Sequence, residues 1–367
     1  TGLHSDVRGP YREAIEAMNQ SASPTFAVDI PSGLNADTGQ AMGCAVVADA
    51  TTTFIAMKLG LLTGAGRHHA GQLYFDSLDV PQSALESQIP CARRLNLERL
   101  VSQIAPRRAD SHKGSFGHIL LIGGDHGFGG AIQLAALAAS RMGPGLLSVA
   151  TQLEHVNPLL ACQPEVMAHA VRNIHDLGPL IEKATHIVVG PGLGQSAWSQ
   201  QMLTAALQSK LPCVLDADAL NLIAEERVSH EVNGSSILTP HPGEAARLLG
   251  TTTAAIQSNR LESVLALQKK YGGSVLLKGN GSLIAHASGH VRLCSDGNPG
   301  MASGGMGDVL SGMIGGLLAQ GLGHELSLDL AVALHARAAD EQACSHGQRG
   351  LLASDLIAPA RRLLNAL

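Results

Sequence analysis

From residue 112 onward, short runs of consecutive apolar residues alternate with longer segments of helical character. GHILLIGG (117–124) and GLLSVAT read as strands. Between them GGAIQLAALAASRMG is apolar nearly all round and reads as a buried helix. THIVVGPGLG is a strand running into a glycine-rich loop, and SQQMLTAALQS is a helix. PCVLDADALNLIA gives strand, acidic loop and helix, and SSILTPHPGEAARLLG gives strand, turn and helix. A long helix over 254–271 leads to the strands SVLLKGNGSLIAH and HVRLCSD, and helices over 303–320, 328–343 and 354–364 close the chain. Apolar strands alternating with helices specify an α/β fold, a mainly parallel sheet sandwiched by helices. Such sheets bind ligands at the carboxyl ends of their strands, and here each glycine-rich or charged segment falls just after a predicted strand.

The pattern before residue 112 is different. TFAVDIPSG (25–33) and GQLYFDSLDVP (71–81) are short apolar runs ending in Pro-containing turns, on either side of ADATTTFIAMKLGLLTGAG. This division predicts a smaller unit over 1–85, a polar connection over 86–110 and a main domain over 111–367.

Composition narrows the function classes. Hydrophobic residues make up 45% of the 367 and charged residues 15%, the balance of a globular enzyme with a sizeable core. A net charge of −5 gives no basic field for nucleic acid. One Trp, three Tyr and five Phe are too few for base-stacking platforms, so a bound adenine would lie against aliphatic side chains. The six cysteines are scattered without a CxxC pair, which disfavours a zinc ribbon and fits reduced thiols in the cytoplasm. No apolar run reaches membrane-span length, and no secretory signal is visible at the start. The chain opens on Thr-Gly-Leu rather than Met, which is compatible with a fragment of a longer protein as well as with a whole one.

The sharpest chemical feature is NPGMASGGMGDVLSGMIGGLLAQG (298–321). Gly304, Gly305 and Gly307 precede Asp308, where an apolar helix starts. A glycine-rich turn at a helix N-terminus points free N–H groups at one spot with the helix dipole behind them, which suits a phosphate. Asp308 would sit beside that phosphate, ionised by the same dipoles, and accept a proton from an attacking hydroxyl. The plainer reading, that Asp308 caps the helix, requires no glycines. GxxxxGK[ST] is absent, which disfavours a P-loop enzyme.

GGMGDVLSG resembles the GxGD signature of ribokinase-like enzymes, whose Asp is the catalytic base. HKGSFGHILLIGGDHGFGGA (112–131), VVGPGLG (188–194), LDADALNL (215–222), TPHPGEAARLL (239–249) and LKGNGSLI (277–284) occur in this order. Together they resemble the NAD(P)H-hydrate dehydratase family. TGLHSDVRGPY (1–11) and VDIPSGLNADTG (28–39) are similar to the end of an NAD(P)H-hydrate epimerase domain, and bacterial bifunctional proteins join the two in this order. The smaller unit would thus be a partial Rossmann-like α/β epimerase-type domain. It lacks the family's Asn- and Gly-rich early loop, so epimerase activity is not expected of this chain by itself. Met306 stands where the family usually has Thr or Ala.

The resemblance implies a lyase that restores hydrated NADH or NADPH at the expense of ADP or ATP, with Asp308 as base. It places the hydrated dinucleotide near Ala131, Gly192, His241 and Asp308, and the adenylate part at Lys278, Gly279, Asn280, Gly281, Ser282 and Gly307. Ala131 and His241 read alone are equally compatible with packing, and the Asn-Gly of the GNG segment with an ordinary hairpin. Asp216, Asp218 and Glu244 would help hold Mg²⁺ through water, although Asp218 also reads as a cap of the following helix. In the smaller unit the resemblance assigns substrate contact to Asp29, K⁺ to Ser32, and a phosphate-side loop to Thr1, Gly2, Leu3, His4, Ser5 and Asp6. A homo-oligomer is implied, with no nucleic-acid or membrane partner. The alternatives are a small-molecule kinase of the same fold, which would accumulate a phosphorylated product, and a non-catalytic nucleotide-binding module, which would not need Asp308. A dinucleotide-dependent dehydrogenase is disfavoured because GGDHGFGGA is not GxGxxG.

Overall fold

The computed structural model describes residues 3, 5–228, 232 and 234–366. Its strands form two sheets. The smaller is parallel, in the order β1 (Phe26–Val28), β2 (Ala50–Phe54), β3 (Gln72–Asp76). The helix Pro10–Gln20 shields one face, where Ile15 packs with Ala27, Val46 and Ala48. On the other face Phe26, Val28 and Tyr74 are exposed.

The larger sheet has ten strands: β4 (Arg93–Arg94), β5 (His118–Ile122), β6 (Leu146–Thr151), β7 (Met167–Ala170), β8 (His186–Val189), β9 (Cys213–Leu215), β10 (Ile237–Leu238), β11 (Ser274–Leu277), β12 (Ser282–Ala285) and β13 (Val291–Cys294). Their order is β4-β13-β12-β11-β10-β9-β8-β5-β6-β7. Pairing is parallel except where β12 runs against β11 and β13. Successive residues of β5 show how the sheet is covered on both sides. Ile119 and Leu121 enter one apolar layer, with the helices Gly129–Arg141 and Met306–Ala319; Leu120 and Ile122 enter the other, with Ala197–Gln208 and Arg260–Tyr271. A strand buried on both faces needs consecutive apolar residues, and HILLI supplies them.

The helices Gly129–Arg141 and Met306–Ala319 lie unusually close. A side chain at Gly312 would place its Cβ 2.2 Å from the carbonyl oxygen of Ala135, so only glycine permits the approach. That contact seats the start of Met306–Ala319 over the carboxyl edge of the sheet.

Several elements differ from the sequence reading, three of them instructively. The helix expected over 254–271 is two, Thr253–Ser258 and Arg260–Tyr271. Asn259 leaves helical geometry (φ −147°, ψ 83°) and caps the second, its side chain accepting from the Glu262 N–H. The helix expected from 303 begins at Met306, because Gly305 takes φ 88° as the residue before it. Within the stretch read as a connection, Arg93–Arg94 pairs with β13 at the sheet edge, and Leu97, Leu100 and Val101 enter the core.

Candidate active site

Chain order and spatial order part company between β5 and β8. From β5 the chain steps outward through β6 and β7, then returns to β8 and proceeds the other way to β11. The crevice at that reversal, outside the carboxyl ends, is where open α/β sheets receive ligands. The loops after β5 and β8 meet there. Gly192 has φ 58°, and a Cβ on it would lie 3.1 Å from the Ala131 Cβ, so the two positions read as dinucleotide contacts are neighbours. The Asp125 N–H donates to the Gly192 carbonyl at 2.8 Å, and the Asp125 carboxylate accepts from Ser196 Oγ at 2.6 Å and Gln152 Nε2 at 3.1 Å. Burial pushes the Asp125 carboxyl up, but these donors outweigh it and hold the group below the usual carboxylate range. Asp125 thus fastens both loops, a role not read from GGDHGFGGA.

Further along the same edge, a cavity of about 360 Å³ is lined by residues that include Asp216, His241, Glu244, Lys278, Gly279, Gly307 and Asp308. Three sheet loops and a helix N-terminus supply them. Lys278 Nζ lies 2.8 Å from Asp216 Oδ1 and 3.9 Å from Glu244 Oε2. Asp216 also accepts from Thr239 Oγ1 at 2.8 Å and Ser311 Oγ at 2.7 Å. Burial raises the Asp216 carboxyl, yet the Lys278 charge and these donors bring it below its ordinary value. Burial likewise disfavours the Lys278 ammonium, and Asp216 and Glu244 more than offset this, so its pKa rises. Thr239 and Ser311 were missed by the sequence reading. The signal for Ser311 was its place one turn beyond Asp308, on the same helix face.

Asp308 sits in the first turn of Met306–Ala319, and Gly305 is the N-cap, so Asp308 does not cap this helix. The expectation that it is ionised is corrected. Burial first, and the Asp216 charge second, push its carboxyl up to about 7, while Lys278 opposes them. Withdrawal from water and the neighbouring Asp216 charge together outweigh the attraction of Lys278.

His241 caps the helix Pro242–Leu249. Its Nδ1 accepts from the Gly243 and Glu244 N–H groups at 3.0 and 3.2 Å, while the His241 N–H donates to Glu244 Oε2 at 2.7 Å. Nδ1 as acceptor fixes the neutral Nε2–H tautomer. Burial lowers the imidazole pKa, as do Lys278 and Arg247. The packing and functional readings of His241 therefore coexist: one ring nitrogen caps the helix, and the ring borders the cavity.

The carboxylates read as Mg²⁺ contacts are already engaged. Asp216 already accepts from Lys278, Thr239 and Ser311. Asp218 does not cap its own helix but accepts from the Gly194 N–H at 3.0 Å and from Asn221 Nδ2 at 3.2 Å. Glu244 is buried, and burial raises its carboxyl to about 7. No group of three or more His, Cys, Asp or Glu side chains converges as a metal cage among the described residues. This set fits a magnesium ion carried on phosphate oxygens and water rather than one caged by protein.

The remaining site positions divide in two. Lys278 and Gly279 line the cavity, as does Gly307. Asn280 and Gly281 instead face the smaller unit, where Asn280 Nδ2 donates to the Gly64 carbonyl at 2.8 Å. Ser282 Oγ closes the loop by donating to the Gly279 carbonyl at 3.0 Å. The hairpin reading of this segment holds too, since β11 and β12 pair antiparallel across it. In the smaller unit Asp29 accepts from Lys58 Nζ, from the Phe54 N–H at 3.1 Å and from Thr53 Oγ1 at 3.2 Å. Burial raises the Asp29 carboxyl, and Lys58 and Phe54 outweigh it, leaving the pKa lowered. Ser32 is exposed on the following loop. Ser5 and Asp6 are exposed, Asp6 beside Gly43, and Leu3 is half-buried, whereas Thr1, Gly2 and His4 lie outside the described residues.

A mainly parallel, helix-covered sheet with a GxGD turn over its carboxyl edge defines the ribokinase-like class of α/β enzymes. Consistent with this, a ribokinase-like superfamily protein from Enterococcus faecalis superposes with a TM-score of 0.70 at 31% identity, covering 76% of this chain and 97% of that one. The chain belongs to the NAD(P)H-hydrate dehydratase family, whose model matches residues 119–361, and residues 1–60 match the YjeF-related protein N-terminus. The bifunctional NAD(P)H-hydrate repair enzyme Nnr of Coxiella burnetii is 46% identical over 100% of this chain and 74% of its own length. Its Escherichia coli counterpart is 44% identical over 100% and 70%. An ADP/ATP-dependent NAD(P)H-hydrate dehydratase from Bacillus subtilis, co-crystallized with ATP/Mg²⁺, superposes at a TM-score of 0.66 with 30% identity, covering 75% of this chain and 98% of that one.

Proposed function

We propose that the larger unit, read as residues 111–367, dehydrates the S form of hydrated NADH or NADPH at the expense of ATP or ADP. The observation that carries this is Asp308: a carboxyl with a pKa near 7, in the first turn of a helix whose N-terminus faces the cavity, across from Lys278. Hydroxide is a poor leaving group, so the ring hydroxyl is first phosphorylated. Asp308 takes the hydroxyl proton as the oxygen attacks the terminal phosphoryl group, and the bond from that phosphorus to the leaving nucleotide breaks. Phosphate then departs with the C–O bonding electrons, pushed by the ring nitrogen lone pair, and loss of a proton from the adjacent ring carbon restores the dihydronicotinamide. Lys278 and the N–H groups of the Gly305–Gly307 turn hold the phosphates. Magnesium, when bound on those phosphates, neutralises their charge.

The 278–282 loop receives the adenylate part, and the Ala131–Gly192 crevice with His241 receives the hydrated ring. Asp29 with Ser32, the latter for K⁺, is the corresponding substrate region of the smaller unit, read as residues 1–85 with the loop 1–6 on its phosphate side. No described helix is long and apolar enough to cross a membrane. The reaction is assigned to the cytoplasm, where its substrates are dissolved, and to a homo-oligomer.

The test is the near-ultraviolet absorbance of NADH after the protein is added to enzymatically hydrated NADH with Mg²⁺ and either ATP or ADP. A nucleotide-dependent rise supports dehydration and identifies the better donor. No rise, with a stable phosphorylated product instead, would make the protein a small-molecule kinase.

A further inference from the structure

The helix Arg260–Tyr271 opens on a buried guanidinium that no carboxylate balances. Arg260 is 1% exposed and has no charge partner among the described residues. Its Nε donates to Thr63 Oγ1 at 3.0 Å and one Nη to Gln257 Oε1 at 2.7 Å. The other Nη faces the carbonyl oxygens of Leu277, Lys278 and Gly281 at 3.2, 3.2 and 3.4 Å. Burial without a counter-charge is costly, and it pulls this guanidinium down to about 10. Neutral acceptors alone hold it in place. Three are carbonyls at and around the 278–282 loop, and one is a hydroxyl from the smaller unit.

The same loop is gripped from the smaller unit directly. Thr63 Oγ1 donates to the Gly281 carbonyl at 3.0 Å, and the Gly64 N–H donates to the Asn280 carbonyl at 3.1 Å. Arg67 donates to Asn280 Oδ1 and to the Gly297 carbonyl, both at 3.2 Å. Gly281 has φ 66°, and a Cβ there would stand 2.1 Å from the Leu62 carbonyl oxygen, so the two backbones touch. Leu59 and Leu62 belong to the same apolar layer as Leu120 and Leu277 of the larger unit. A hairpin that only had to turn would need none of these contacts.

We propose that the smaller unit forms a wall of the nucleotide site, with Thr63 and Arg67, acting through Arg260 and Asn280, holding the 278–282 loop in its nucleotide-binding form. Thr63, Arg67 and Arg260 are positioning residues, and nucleotide affinity in one unit depends on the other. This rests on the reading of 278–282 as the adenylate loop.

The experiment uses the full chain with ATP·Mg²⁺ and hydrated NADH. Thr63→Val keeps the shape and removes the hydroxyl. It should raise KM for ATP about fivefold, the scale of one lost hydrogen bond, with kcat and the KM for hydrated NADH within about twofold. Thr63→Ser should restore the wild-type value, and Arg67→Ala should raise KM for ATP alone. A folded Thr63→Val with unchanged KM for ATP, or a rise that Thr63→Ser does not rescue, overturns the proposal. If Thr63→Val does not fold, Arg67→Ala decides in the same way. Hydrogen exchange of the wild type separates this from the underlying reading. If ATP slows exchange in 278–282 while the variants keep their KM, only the wall is wrong; if ATP leaves 278–282 unprotected, the loop assignment itself fails and the wall with it.

Discussion

Lys278 Nζ, at the end of β11, lies 2.8 Å from Oδ1 of Asp216, at the end of β9, and Ser311 Oγ on the helix Met306–Ala319 lies 2.7 Å from the other oxygen of the same carboxylate. One carboxylate therefore locks two strand ends to the helix that carries Asp308. Lys278→Met would leave Asp216 charged, buried and unpaired. The expected cost is about 3–5 kcal/mol in denaturant unfolding. In protein that remains folded, KM for ATP should rise.

Asp308→Asn preserves the shape and removes the proton acceptor. We expect kcat to fall roughly a hundredfold to ten-thousandfold, the range spanned by general bases, with ATP binding by calorimetry retained. Full turnover in this variant would remove Asp308 from the mechanism.

Activity should depend on pH through the same group. The base works ionised, and its pKa is about 7. kcat/KM should therefore rise about tenfold per pH unit below neutrality and level off above it. A flat profile between pH 5 and pH 8 would place the base elsewhere.

Stability should run in the opposite sense. The folded Asp308 carboxyl binds a proton more tightly than the unfolded one, so its contribution to stability is present at low pH. That contribution is lost as pH rises from 3.8 through about 7. Asp308→Asn should therefore melt higher than wild type at pH 8, and the difference should shrink toward pH 4. Thermal scans at the two pH values measure it.

At the crevice between β5 and β8, Gly192 has φ 58°, and an added Cβ would lie 2.5 Å from the Phe128 carbonyl oxygen. Gly192→Ala must displace one of the two loops. The expected result is a higher KM for hydrated NADH with KM for ATP nearly unchanged, read from steady-state titrations of each substrate. Equal changes in both would mean the crevice does not separate them.

Much of this architecture was legible along the chain because its causes are local. HILLI, five consecutive residues between glycine-bounded segments, reads as a strand buried on both faces, and Gly304 and Gly305 mark a tight turn at the start of the helix that carries Asp308. The break at Asn259 was missed although its cause is local: Asn259 stands three residues before Glu262 ahead of an apolar run, the spacing of a helix start, and its side chain accepts from the Glu262 N–H.

By itself, the sequence determined the α/β order, the glycine-rich turn and the set of charged residues delivered to the carboxyl edge of the sheet. These follow from periodicity and backbone freedom, which are properties of neighbours in the chain. Only the tertiary structure decided how those charges behave. Asp308 is poised near neutrality while Asp216 is held ionised, because burial and the distance to Lys278 set the balance between desolvation and Coulomb attraction. Thr63 meets a carbonyl 218 residues away through the packing of one unit on the other. Interactions of this kind depend on distance through space, which residue spacing along a chain does not encode.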